Sequence, residues 1–327
     1  MSKTEHTAVQ DSKFAPPKPG AQSCETPVKI DHASTVAVAG RTVDLHTIQS
    51  NGIDRDYLLY APSTWSPVGP RPLVVELHGS GLSAEQQMRC SGFHSLAQEH
   101  SFVVAAARAA IPLQLFEDYP PGFAWNVPGV PLVHQEQTVC DMPDDISFVR
   151  DLIVDVRSRL PIDPGRVYIA GFSGGGRLAS YLAFLLSDIV AAVGTVSGLR
   201  IPAIDTHFAP CPIIAFHGQL DRLNPLDGGA GDRWREPVID TATYLALKLG
   251  CTRPPIIEND GRVTKWSFQN DRGVLRLVQY VIASGNHSWP GSVDPEHRDM
   301  FGETAIEVDA TRAIWQFFSS AQDPRNC

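Results

Sequence analysis

A chain of 327 residues, 43% apolar and 19% charged, can bury the core of one large α/β domain or of two small ones. Its net charge of −9, from 27 basic and 36 acidic residues with no Lys/Arg run, excludes the electrostatic footprint of a nucleic-acid binder. Nor does any stretch approach the roughly 18 uninterrupted apolar residues of a membrane span; the longest candidate, "FVVAAARAAIPL", is broken by Arg108.

The N-terminal "MSKTEHTAVQDSKFAPPKPGAQS" is polar and Pro-rich, which predicts a disordered leader over residues 1–25 and a single catalytic domain over 26–327. It lacks the apolar centre of a secretion signal, so the expected compartment is the cytoplasm, or the exterior if a signal had been removed. Two early strands follow, "RTVDLHTIQ" and "RDYLLYA", readable as an antiparallel pair. "PLVVELH" is apolar enough to be buried on both faces. A helix is expected from about Ala84 to His100, then the strand "FVVAAA".

An irregular segment with several prolines and glycines spans residues 108–143. "DDISFVRDLIVDVRSRL" then reads as an amphipathic helix with Asp144 and Asp145 at its start, where carboxylates meet free N–H groups. "RVYIAG", "AAVGTVSG", "CPIIAFHG" and "VLRLVQYVI" read as strands. Helices are expected over "GGRLASYLAFLLSD", near Val238–Leu249 and near Glu303–Phe318. Such alternation predicts a mainly parallel sheet with helices on both faces. The six cysteines (24, 90, 140, 211, 251 and 327) form no CxxC, so no metal site is expected. One or two disulfides and several free thiols both remain open.

"YIAGFSGGGRLASYL" sets Ser173 where a strand hands over to a helix. Gly171-x-Ser173-x-Gly175 is the pattern of a nucleophile elbow, a sharp turn that lifts a hydroxyl above the sheet. A serine hydroxyl needs a base and an acid to orient that base, in the chain order Ser, Asp, His on such a scaffold. His287, in "VIASGNHSWPG", lies in a Gly-flanked loop past an apolar strand. His297, in the charged "DPEHRDM", is expected to face solvent. Asp221, four residues past "CPIIAFHG", falls at the strand edge where open α/β sheets place their sites; Asp188, Asp205, Asp227 and Asp240 sit in helix ends or polar loops. The oxyanion donors expected are the N–H of Gly174 and, from the loop "ELHGSGLS", that of Ser80, with Gly81 next. Gly79 to Ala84 also fits the G-x-G-x-x-A dinucleotide fingerprint, an alternative that leaves Ser173, Asp221 and His287 without a role.

Together "LHGSG", "PDDISFV", "GFSGGG", "FHGQLDRLNP" and "GNHSWPG" resemble the polyhydroxybutyrate depolymerase and feruloyl esterase branch of the α/β-hydrolases, carbohydrate esterase family one-like. The resemblance covers roughly residues 40 to 320. It implies a serine carboxylic-ester hydrolase with Ser173 as nucleophile, His287 as base and Asp221 as acid, and with no cofactor. Relatives often carry Cys at the place of Ser80, Gly at Asn286, and Asn or Ala at Gly174. They also usually carry a second cysteine some way after the one matched by Cys251, which "WSFQNDRGV" lacks.

The segment 114–140 is expected to form part of the pocket, with Phe172, Trp125 and Trp289 as candidate cleft residues or, singly, as core packing. The Gly-rich 222–237 is either a mobile rim or a solvated loop. The expected partner is a small or polymeric ester, with no nucleic acid and no membrane. Interception of an acyl-enzyme by another acceptor (acyl transfer, cyclisation, thioester cleavage) is the second reading, and a non-catalytic binding protein the third.

Overall fold

The computed structural model describes residues 34–62, 69–132, 142–204 and 209–321; the leader, Cys24, Cys140, Asp205 and Cys327 lie outside them. In chain order come β1 (Ser34–Val38), β2 (Arg41–Ser50), β3 (Ile53–Tyr60) and β4 (Arg71–Leu77). Then follow α1 (Ala84–Ser91), α2 (Phe93–His100), β5 (Val103–Ala107), β6 (Ile111–Leu113), β7 (Gly122–Ala124) and α3 (Asp145–Arg159). The second half runs β8 (Ile162–Phe172), α4 (Gly174–Leu185), β9 (Ala192–Val196), β10 (Ile213–Gly218) and α5 (Val238–Lys248). It ends with β11 (Ile256–Asn259), β12 (Val263–Gln269), β13 (Leu275–Ile282), α6 (Pro295–Phe301) and α7 (Ala310–Ser320).

One sheet holds the order β1-β2-β3-β5-β4-β8-β9-β10-β13-β12-β11, and β6 pairs only with β7. From β5 to β13 neighbouring strands are parallel, as their apolar, β-branched sequences predict. Antiparallel strands extend both edges. The β2–β3 pair is antiparallel as expected. The edge strand β1 and the hairpin β11–β12 were not anticipated, because β11 is exposed along its whole length and carries no burial signal.

Helices α1, α2 and α7 pack on one face of the sheet around Met88, Phe93, Ile314 and Phe318. Helices α3, α4 and α5 pack on the other around Phe148, Leu152, Leu182 and Leu245. Asp144 caps α3 by accepting from the N–H groups of Ile146 and Ser147, a contribution of about 1 kcal/mol. Asp145 is buried instead, paired with the equally buried Arg55 at 2.6 Å. Burial raises its pKa to about 6 despite that pairing.

Two expectations are corrected. The single helix over 84–100 is two, broken at Gly92, whose φ of 68° ends α1 in the left-handed region that glycine enters freely. Its start carries a capping box between Ser83 and Gln86. The final helix begins at Ala310, not near Glu303, and a separate α6 precedes it with Pro295 at its first turn.

The strand order changes direction around β4: β5 lies on one side of it and β8 on the other. At such a switch point the loops leaving two adjacent parallel strands diverge and open a crevice at their C-terminal ends. Ser80 and Ser173 occupy those two loops.

Candidate active site

Ser173 sits between the last residue of β8 and the first of α4 with φ 50° and ψ −111°, a conformation serine rarely adopts. Its N–H donates to the Val196 carbonyl at 2.8 Å, which ties the bend to the neighbouring strand. The surrounding glycines are demanded by close backbone approach. A Cβ on Gly171 would fall inside the Gly175 carbonyl, and one on Gly175 inside the carbonyls of Leu77 and His78. A Cβ on Gly174 would meet the Ser80 side chain and lie 3.1 Å from the Ser80 nitrogen. Helix α4 is therefore drawn tight against β4, which sets the amide of Ser80 beside the residue that follows Ser173.

The Ser173 hydroxyl lies 2.9 Å from His287 Nε2, and His287 Nδ1 lies 2.7 Å from Asp221 Oδ2. All three side chains are at most 8% exposed. Asp221 Oδ1 accepts the N–H groups of Leu223 and Asn224 at 3.0 and 2.8 Å, forming an Asx turn that aims Oδ2 at the imidazole. Burial opposes ionisation of Asp221, yet the hydrogen bond and charge of His287, with help from His217 and the Asn224 amide, hold its pKa below the usual value. Nδ1–H donating to that carboxylate leaves Nε2 free to accept from a hydroxyl.

The loop after β4 is braced on several sides. Burial lowers the His78 pKa to about 4, so the ring is neutral: Nδ1–H donates to the Gly79 carbonyl at 2.8 Å while Nε2 accepts from the Ala109 amide. Gly81, at φ 78°, donates to Phe123 O, and Phe123 donates back to Leu82 O, so β7 clips onto the loop. Within the described residues 114–132, β7 braces the loop from behind and Leu115 reaches the cavity wall; residues 133–140 lie outside the described structure.

Three aromatic or imidazole expectations are corrected. Trp125 lies in the core, its Nε1–H donating to the His78 carbonyl at 2.8 Å, and Trp289 is fully buried with Nε1–H on Thr311 Oγ1. Neither reaches the cavity, because each indole N–H finds its partner in the packed interior. His297 is 3% exposed where solvent exposure was expected. Helix α6 turns it inward, where Nε2 accepts from the Trp289 amide at 2.9 Å and burial pushes its pKa down to about 3. Phe172, by contrast, lines the cavity and meets the His287 ring at 5.3 Å.

The cavity over Ser173 has a volume of about 280 Å³, walled by Gly79, Ser80, Leu115, Phe172 and Phe301 towards the β4 loop. Arg177, Leu223, Asn224 and Arg233 wall it towards the loop 219–237. The sequence offers 222–237 as a rim or a solvated loop without singling out Leu223, Asn224 or Arg233, and Arg177 reads there as one more helical residue. Asn224 ties this side together: its Nδ2 donates to Ser197 O, its Oδ1 accepts from Arg177, and its carbonyl accepts from His217. The Asx turn at Asp221 uses only the backbone N–H of Asn224, so no local signal marks its side chain, whose partners Ser197 and Arg177 are distant in sequence.

The phospholipase/carboxylesterase family model matches residues 66–231, from the strand before the Ser80 loop to the rim carrying Asn224. The chain belongs to this family. It is 28% identical to the putative esterase NocK of Nocardia uniformis subsp. tsuyamanensis, over 93% of this chain and 91% of that protein. It is 25% identical to the probable feruloyl esterase C of Aspergillus oryzae, over 82% and 85%. With feruloyl esterase B of Piromyces equi it shares 26% identity over 72% of this chain, which spans 42% of that protein. Among solved structures, the acetyl xylan esterase from Aspergillus awamori superposes with a TM-score of 0.53 at 13% identity, over 78% of this chain and 97% of that one. The α/β-hydrolase fold expected from the motifs is thereby established, and the chain is a carboxylic-ester hydrolase with sequence similarity to feruloyl esterases.

Proposed function

We propose that this esterase cleaves its substrate through an acyl-enzyme on Ser173, with His287 as general base and Asp221 as the acid that orients it. The observation that carries this reading is the unbroken hydrogen-bond chain from Ser173 Oγ through both ring nitrogens of His287 to Asp221. His287 Nε2 takes the hydroxyl proton as Oγ bonds to the ester carbonyl carbon. The carbonyl oxygen becomes an oxyanion, held by the N–H groups of Ser80 and Gly174. Collapse breaks the bond to the alcohol oxygen, which leaves with the proton from His287. Water then attacks the acyl carbon, gives its proton to His287 and frees the acid; that proton returns to Ser173.

The cavity volume of about 280 Å³ falls just below the range of about 300–1,000 Å³ for ligand sites, which suits one arm of a small ester better than a length of polymer. The relatives named feruloyl esterases favour feruloyl esters among the candidates. No observation here favours acyl transfer or a purely binding role.

A fluorophosphonate is expected to add mass at Ser173 alone, and Ser173→Ala to lose hydrolysis of p-nitrophenyl butyrate while keeping its circular dichroism spectrum. Labelling at another serine, or full activity in the variant, would overturn the mechanism.

A further inference from the structure

Arg177 stands on the first turn of α4, one turn along from Ser173, and lines the same cavity although only 4% of it is exposed. Its Nη2 donates to Asn224 Oδ1 at 2.6 Å, its guanidinium lies 5.6 Å from the Trp234 ring, and its buried Nε has no hydrogen-bond partner. Among the described residues no carboxylate pairs with it. The other deeply buried arginine is treated differently: Arg55, 2% exposed, has Asp145 at 2.6 Å. The fold therefore supplies a counter-charge where a buried cation serves packing, and withholds one beside the nucleophile.

The surroundings add positive charge. Arg233 also lines the cavity and donates to the Pro131 carbonyl, while Arg200 donates to the carbonyls of Arg233 and Asp232. Burial, then the charges of Arg233 and Arg200, push the Arg177 pKa down to about 9, with Asp221 opposing. Asp221 acts on the group only at a distance, since its oxygens bond to His287, Leu223 and Asn224. A guanidinium held away from water without an anion is costly, and a bidentate carboxylate is the partner its planar fork fits best.

We infer that the cavity is built for esters bearing a carboxylate on one arm, with Arg177 as the residue that receives it and Arg233 at the rim. This rests on the Ser173 reading above. On binding, the unpaired Nε–H and an Nη–H of Arg177 meet the two oxygens of the carboxylate. The ester carbonyl lies at Ser173, one helical turn away. A neutral ester of the same shape leaves the guanidinium unpaired.

The test uses two matched pairs and the intact chain: monomethyl and dimethyl adipate for charge on the acyl arm, 4-acetoxybenzoate and 4-methylphenyl acetate for charge on the alcohol arm. In the wild type, kcat/KM is expected to be about 10- to 100-fold higher for the charged member of one pair. That ratio should collapse in Arg177→Gln and recover in part in Arg177→Lys. It should also survive about 0.5 M salt, which would screen a merely surface attraction. Equal rates, or faster hydrolysis of the neutral member in both pairs, would overturn the inference while leaving the acyl-enzyme mechanism standing. If no ester is cleaved and fluorophosphonate leaves Ser173 unmodified, the mechanism and the inference built on it both fail.

Discussion

Ser173 holds a backbone conformation that costs on the order of 1–3 kcal/mol, and its neighbours carry that cost through the bond to Val196 and the packing of Gly171 against Gly175. The strain turns the hydroxyl towards His287. Asp221 acts at two points: one oxygen holds the imidazole, the other organises the turn that carries Asn224. An amide in its place keeps the turn acceptor but offers the wrong partner to Nδ1–H. Asp221→Asn is therefore expected to lower kcat by about 10⁴-fold with little change in fold. Ester kinetics beside a denaturation curve would check it; an unimpaired kcat would remove Asp221 from the mechanism.

At the scale of elements, the site is the meeting of two loops held by unlike means. The loop after β4 is clipped from outside by β7 and by the His78 and Trp125 hydrogen bonds, whereas the elbow after β8 is held from within by glycine contacts. The two therefore respond differently to added volume. Gly171→Ala drives a methyl into backbone that cannot retreat and is expected to cost about 3 kcal/mol or more in urea denaturation. Gly174→Ala presses mainly on the movable Ser80 side chain, so it should cost less stability and more activity. Equal losses of stability would contradict this account of the elbow.

Across the whole molecule, several ionisable groups lie beneath the sheet loops in their neutral forms. Glu76 on β4 is fully buried, and burial outweighs the help of Gln87 and Ser91, neither of which meets it at good hydrogen-bond geometry; its pKa rises to about 8. The folded chain keeps this proton between about pH 4.5 and 8 while the unfolded chain loses it, so the contribution of Glu76 to stability falls as pH rises through that window. His78 and His297, lowered to about 4 and 3, act with the opposite sign: their contribution is lost as pH falls below about 6.5, where the unfolded chain gains protons that the folded chain refuses. Glu76→Gln should therefore gain on the wild type by about 1.4 kcal/mol for each pH unit from 5 to 8. Unfolding curves at pH 5, 6, 7 and 8 would read this out; a constant difference would mean that Glu76 is ionised in the fold.

The alternation of the central strands and helices, the parallel centre of the sheet and the hydrogen-bonded set of Ser173, Asp221 and His287 follow from features local in sequence, whereas the edge strands and the breaks at Gly92 and before Ala310 do not. Each of the former lies next to an apolar run whose direction and end can be read from a few residues. The glycines around Ser173 are informative for the same reason, because close packing leaves them no substitute. The interior placement of Trp125, Trp289 and His297, and the exposure of Arg177 to the cavity, depend on partners 8 to 47 positions away, such as His78 for Trp125 and Asn224 for Arg177. Local pattern determined which chemistry this protein carries. Only the tertiary structure decided which charges line the cavity, because whether a guanidinium has a counter-ion depends on every element packed around it.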